Sequence, residues 1–250
     1  MQRRMPGGLA ALALITGLSV GCAVAAPSVG IYGGNATIRE GLDAGVKDRL
    51  KNARPVKFSL EDATDADLAG LCALFPEMLE LAVFRGNITS LAPLAGLGRL
   101  KSLVVDGVRT ADFSPLAALT ELQEIVIVDS PLENLSWMQG MMKLGSVTIH
   151  ANSLTSLEGL PASPRLQAIT LNGCAPRDLA PLAGPPRLRT LRMRGAILPD
   201  MASLAGADAL RILDIAGSRL SDGQSPESVR EYLPRIERLV LTGQEQATEP

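Results

Sequence analysis

The sequence predicts an α/β solenoid: a parallel sheet with one strand per turn, short 3₁₀ or irregular returns, and helical caps at its ends. Two observations predict it. From Met78 to Ile215 one apolar spacing returns seven times at 22-residue steps, opening at Met78, Leu100, Leu122, Leu144, Leu166, Leu188 and Leu210 without an insertion. A fixed period of this length marks a stacked-repeat architecture. In a second register, Ser90, Asp112, Asn134, Ser156, Asp178, Asp200 and Asp222 recur just before each return. All seven carry a short polar side chain suited to accepting a backbone N–H at the start of a helical turn.

Each unit divides into a strand and a return. In Leu100-x-x-Leu103-x-Val105 the fourth and sixth residues point to one side, and the third, fifth and seventh to the other. The return carries apolar residues three apart, as in Leu91, Leu94, Leu97 and again in Phe113, Leu116, Leu119. That spacing suits a 3₁₀-like turn. Pro93, Pro115 and Pro181 fall inside the first turn, where a missing N–H costs little. One unit cannot enclose these side chains, whereas stacked neighbours give each a floor and a lid.

Taken in order, residues 1–25 read as an export signal: Arg3 and Arg4, an apolar run from Leu9 to Val20, then Ala23-Val24-Ala25 before the cleavage point. The run is shorter than the about 20 residues a spanning helix needs. Cys22, after Ser19-Val20-Gly21, offers an alternative, because the string resembles a bacterial lipoprotein box with lipidation at Cys22. Residues 26–54 form a linker and a capping helix. Ser28 to Asn35 is glycine-rich and expected to be loose, and Thr37-Ile38-Arg39-Glu40 reads as a capping box for a helix with Ile38, Leu42, Val46 and Leu50 on one face.

The array itself spans 55–242. It opens on an atypical unit, with a strand through Val56, Phe58 and Leu60 and a true helix from Asp65 to Leu74. It closes on a helix begun by Ser225-Pro226, with Val229, Tyr232 and Leu233 on one face, and a strand from Ile236 to Leu241. The polar tail 243–250 is expected to be disordered.

The repeat resembles the leucine-rich-repeat family, and its 22-residue period with a Pro-Leu turn resembles the internalin-type bacterial branch. The apolar positions of L-x-x-L-x-L-x-x-N are matched in every copy. The ninth position holds the family's asparagine at Asn152 alone and its accepted substitute at Cys174, against Gly86, Val108, Ser130, Ala196 and Ser218 elsewhere. The resemblance implies a concave binding surface on the outward strand face and a protein partner.

The residues themselves point away from catalysis. His150 is the sole histidine, and no cysteine or carboxylate stands at ligand spacing beside it. Gly17-Leu18-Ser19-Val20-Gly21 matches a nucleophile-elbow string but lies in the signal, outside the strand-turn-helix that chemistry requires. No phosphate-cradling glycine loop or zinc pattern occurs, so no cofactor or metal is expected. With 24 basic and 26 acidic residues, the chain has no general attraction for nucleic acid. Cys72 and Cys174 are expected more than four rungs apart, on the order of 20 Å, and therefore unbridged. Asn35, Asn87 and Asn134 open glycosylation sequons, which matter only in a eukaryotic secretory route.

By phase, the outward strand face presents Phe84, Val104, Asp106, Glu124, Val126, His150, Asn172, Arg192, Arg194 and Asp214. Acidic residues occupy the early rungs and arginines the sixth, with Arg189 and Arg211 at the edge. The simplest arrangement pairs Arg192 with Asp214 on the next rung. The sharper one is a bipolar groove, in which arginines hold a partner's carboxylate or phosphate while Phe84, Val104 and Val126 give exposed apolar contact. The expectation is an exported, non-catalytic, monomeric binding protein that meets a membrane only if lipidated at Cys22. The alternatives are an envelope lipoprotein spacer and a cytoplasmic regulatory subunit of an enzyme.

Overall fold

The computed structural model describes residues 28–32, 34–39, 41–53, 56–151, 153–220, 229–241 and 246–247. The signal, Cys22, Glu40, Asn152, Asp222 and Ser225-Pro226 lie outside them. Alternating apolar letters produce short strands: β1 (Ser28–Tyr32), β2 (Asn35–Arg39), β3 (Lys57–Glu61), β4 (Glu80–Phe84), β5 (Ser102–Asp106), β6 (Glu124–Val128), β7 (Ser146–His150), β8 (Ala168–Asn172) and β9 (Thr190–Arg192). After β10 (Ile197–Leu198) come β11 (Ile212–Asp214), β12 (Arg219–Leu220), β13 (Arg238–Val240) and β14 (Gln246–Ala247). All but β10 and β12 join one 12-stranded sheet in sequence order. It is parallel from β2 to β13 and antiparallel only where β1 and β14 close its ends. The register is in phase throughout, Leu81 opposite Leu103, Leu103 opposite Ile125, Ile125 opposite Val147. β10 and β12 pair in parallel beyond the strand ends.

The expected returns form. 3₁₀ helices cover Ala92–Gly96, Ser114–Ala118, Ser136–Met138, Ala180–Ala183 and Met201–Leu204. The second register does what its chemistry predicts. The side chains of Ser90, Asp112, Asn134, Ser156, Asp178 and Asp200 each accept the backbone N–H two residues on, at 2.8 to 3.3 Å. Leu94, Leu116, Met138 and Leu204 are fully enclosed between sheet and return, as are Leu103, Ile125, Val147 and Ile169 on the sheet. Each such burial contributes about 1.5–3 kcal/mol.

The irregular ninth position is accommodated by main chain. Arg109 N donates to Ile88 O at 2.9 Å, Ile197 N to Cys174 O at 3.1 Å and Arg219 N to Ala196 O at 2.9 Å, linking rung to rung without an asparagine. Ser130 Oγ and Cys174 Sγ donate to the carbonyls of Val128 and Asn172. Cys72 and Cys174 are buried free thiols.

The atypical first unit keeps its helix α2 (Asp65–Leu74), capped reciprocally by Thr64 and Asp67. Ahead of it, two expectations are corrected. Ser28–Tyr32, expected to be loose, is the edge strand β1, and Thr37 and Ile38 belong to strand β2 instead of a helix start. Ala36 and Ile38 alternate into the core, so pairing along β3 prevails over the local capping pattern. The capping helix α1 begins later, at Ala44–Ala53, and its approach is fixed by Leu42 N donating to Asp67 Oδ1 at 2.8 Å. At the other end, α3 (Val229–Tyr232) and β13 cover the last rung. Gln246–Ala247, within the tail expected to be disordered, pair with β13.

Candidate functional site on the open sheet face

The third, fifth and seventh residues of each rung form three columns on the face turned away from the core. In-register pairing stacks Ala82, Val104, Val126, Thr148, Thr170, Arg192 and Asp214 down the central column. The trailing column runs Phe84, Asp106, Val128, His150, Asn172. The two columns have an apolar start and a polar finish.

The apolar start is not the exposed patch the sequence implies. Phe84, Val104 and Val126 retain only 8%, 8% and 6% exposure and make a small cluster of their own, with Ala82 and Val128 packed against it. Strands about 4.8 Å apart bring same-face side chains into contact, so aligned apolar residues cover one another. Asp106 and Glu124 flank this cluster. Burial pushes both carboxyls above their ordinary values, aided by the like charge of Asp129 at Asp106 and of Glu80 at Glu124, while Arg85 opposes the shift at Asp106.

The acidic end is also more balanced than it reads, because the first two rungs have an open face too. Lys57 pairs with Glu80 at 2.6 Å and Arg39 with Glu61 at 2.9 Å. β2 and β3 fall outside the strict 22-residue repeat, so its phase alone does not reveal these partners.

At the other end, Asp214 is paired with Arg194, not Arg192. Arg194 Nε and a terminal nitrogen reach Asp214 Oδ2 at 2.7 and 2.5 Å, and Asp214 is 3% exposed. The reason is local. β9 ends at Arg192, the chain turns through Gly195 at φ 62°, and Arg194 is freed to swing over the next rung. Arg192 stays in the strand, half-buried, with no ion pair among the described residues.

A chain of polar contacts joins four rungs. His150 Nε2 lies 3.2 Å from Asn172 Nδ2, Asn172 Oδ1 accepts Arg194 N at 3.0 Å, and Arg194 continues to Asp214. Burial holds the His150 imidazole below its ordinary pKa, with Asp129 opposing. Asp129 and Arg85, unremarked in the sequence, stand at the strands' trailing edge with positive φ, 45° and 49°. The signal was available: other rungs carry glycine in that phase, at Gly107, Gly173, Gly195 and Gly217. Among the described residues, no group of three His, Cys, Asp or Glu side chains could hold a metal ion.

A stack of 22-residue rungs with a parallel sheet on one side and 3₁₀ returns on the other is the leucine-rich-repeat fold. Within that class the fold is internalin-like. An internalin (inlF) from Listeria monocytogenes is similar at 20% identity and TM-score 0.64, over 80% of this chain and 64% of that one. Internalin C2 from the same organism is similar at 25% identity and TM-score 0.55, over 68% of this chain and 71% of its own. A plant peptide hormone receptor, RGFR1 in complex with RGF2, shows TM-score 0.58 at 14% identity over 82% of this chain. The chain spans 64% of the inlF chain and 34% of the receptor chain. Neither a family model nor a curated protein matches the sequence.

Proposed function

We propose that this is an exported, monomeric, non-catalytic protein that binds a protein partner through the concave sheet face. The observation that carries the reading is the central column. Thr148, Thr170 and Arg192 stand side by side, half-buried, between the covered apolar cluster and the Arg194–Asp214 pair. Paired side chains on either flank fix the surface in advance, so little entropy is lost on binding. The complex of the plant peptide hormone receptor RGFR1 with RGF2 supports the partner class, since a similar solenoid is there bound to a partner.

The test is cross-linking capture from envelopes of the native organism, comparing the wild type with Thr148→Tyr/Thr170→Tyr. Tyrosine suits a strand and fills the open face without adding charge. One dominant protein captured by the wild type and lost in the folded variant is expected. Unchanged capture refutes the concave site. The N-terminal mass of the bait reports the route: a chain starting at Ala26 fits export by cleavage, lipid on Cys22 an anchored spacer, and an intact N-terminus in the cytoplasm a regulatory subunit.

A further inference from the structure

The residue just before each of the first six repeats forms a charge column along the leading edge of the strands: Glu77, Arg99, Glu121, Lys143, Arg165 and Arg187. Its first four members neutralise one another across single rungs. Arg99 pairs with Glu77 at 2.5 Å and Lys143 with Glu121 at 2.5 Å. The alternation then stops. Arg165 and Arg187 follow Lys143 with no acid between them, and Arg189 stands beside Arg187 immediately before β9. All three arginines are exposed, and none makes an ion pair among the described residues. The backbone holds them in line, since Gln167 N donates to Gly145 O and Arg189 N to Gln167 O, each at 3.0 Å. Arg211, next along, is already engaged, donating to the carbonyls of Asp208 and Leu210 and facing Glu237 at 3.6 Å.

Like charges on adjacent rungs repel unless something anionic lies between them. We infer that Arg165, Arg187 and Arg189 form a docking edge for an acidic peptide segment of the protein partner. This rests on the reading that the array binds a protein. Three guanidinium groups over two rungs suit a few carboxylates, which they can hold through paired N–H donors. A membrane surface or nucleic acid calls for a wider basic field, and this chain has a net charge of −2. Arg192, without an ion pair among the described residues, extends the patch towards the central column.

The probe is a fluorescently labelled hexaglutamate peptide, titrated with the full chain and followed by anisotropy. Binding that weakens with salt is expected, falling about tenfold or more in Arg187→Glu/Arg189→Glu and in Arg165→Glu. Arg187→Gln/Arg189→Gln gives a smaller loss without reversing charge, and Arg99→Gln, from the neutralised part of the column, changes affinity less than about twofold. Circular dichroism verifies the fold of each variant. No binding, binding indifferent to the arginines, or binding of phosphatidylglycerol vesicles or single-stranded DNA in place of the peptide overturns the inference. Thr148→Tyr/Thr170→Tyr separates the two readings. If it loses partner capture while hexaglutamate never binds, the edge is wrong and the concave site stands. If hexaglutamate binds through the arginines while capture ignores the tyrosines, the reverse holds.

Discussion

Gly159 occupies the phase at which other returns carry Pro93, Pro115 and Pro181, so a repeat consensus would place proline there. The structure predicts that both Gly159→Pro and Gly159→Ala destabilise the array. Gly159 sits at φ +91°, a region proline cannot enter and alanine enters with strain. A Cβ there would also fall inside contact distance of Leu135 O and Ser136 Cα, and 2.7 Å from the Leu135 carbonyl carbon. These are backbone atoms of the preceding return, pinned by Met138 N donating to Leu135 O at 2.8 Å. The left-handed conformation costs alanine about 1 kcal/mol, and forcing the two returns apart about 1–3 kcal/mol more. Together they lower the melting temperature by roughly 5–15 °C for a chain of this size. Far-UV circular dichroism gives the melting temperature. Hydrogen exchange at β7 and β8 shows whether the loss is local, since a solenoid can open at one interface. An alanine variant melting within about 1 °C of the wild type, or a proline variant melting higher, would refute the argument.

Three further outcomes follow from particular side chains. Trp137 Nε1 is buried without an acceptor among the described residues, and the ring stacks on Phe113 at 6.0 Å between centroids. Trp137→Phe removes that orphan donor and should stay within about 1 kcal/mol of the wild type in urea unfolding, whereas Trp137→Ala should lose about 3–5 kcal/mol. Burial raises the Glu124 carboxyl above its ordinary 4.5, so the folded chain binds that proton more tightly than the unfolded chain. Its contribution to stability is therefore lost as pH rises through the folded value, and Glu124→Gln should melt higher than the wild type at pH 7 with the difference vanishing below about pH 4.5. A gap that persists in acid would contradict this. Burial pushes the Cys72 thiol up to about 12 and that of Cys174 to about 11, so neither should react with iodoacetamide at pH 8 until urea unfolds the chain.

The array was legible because two independent registers, one apolar and one polar, shared a 22-residue phase. Each then had a single local task, filling the interior or capping a return. At the N-terminus the apolar spacing misleads for a physical reason. Ile38, Leu42, Val46 and Leu50 are all buried, but Ile38 gets there as a strand residue and Val46 and Leu50 as helix residues. A spacing of four conflated two elements that meet at one core. The fourth return was also unpredictable from phase alone. Ser163 stands where other units have Leu97, Leu119 and Met141, and it is fully buried because its hydroxyl donates to Met142 O and Leu144 O and accepts Arg165 N.

For the open face, alternation correctly gave the residues that point outward but not what each would meet. Exposure there depends on same-face neighbours on the adjacent strands, which is why a stripe of apolar letters forms a covered cluster. Charge pairing depends on where a strand ends. Arg192 and Asp214 are opposite one another in the sheet, yet Arg194, two residues later and past the last strand residue, has the freedom to close on the carboxylate. The leading edge differs, because its side chains leave fixed points one rung apart and interact mainly with the same column. There the 22-residue period reads charge as directly as it reads leucine, and the loss of alternation after Lys143 is visible in the sequence once the column is followed. An array that neutralises its own edge over four rungs, and whose next two carry no ion pair among the described residues, concentrates its charge at Arg165, Arg187 and Arg189, beside Arg192 of the sheet face.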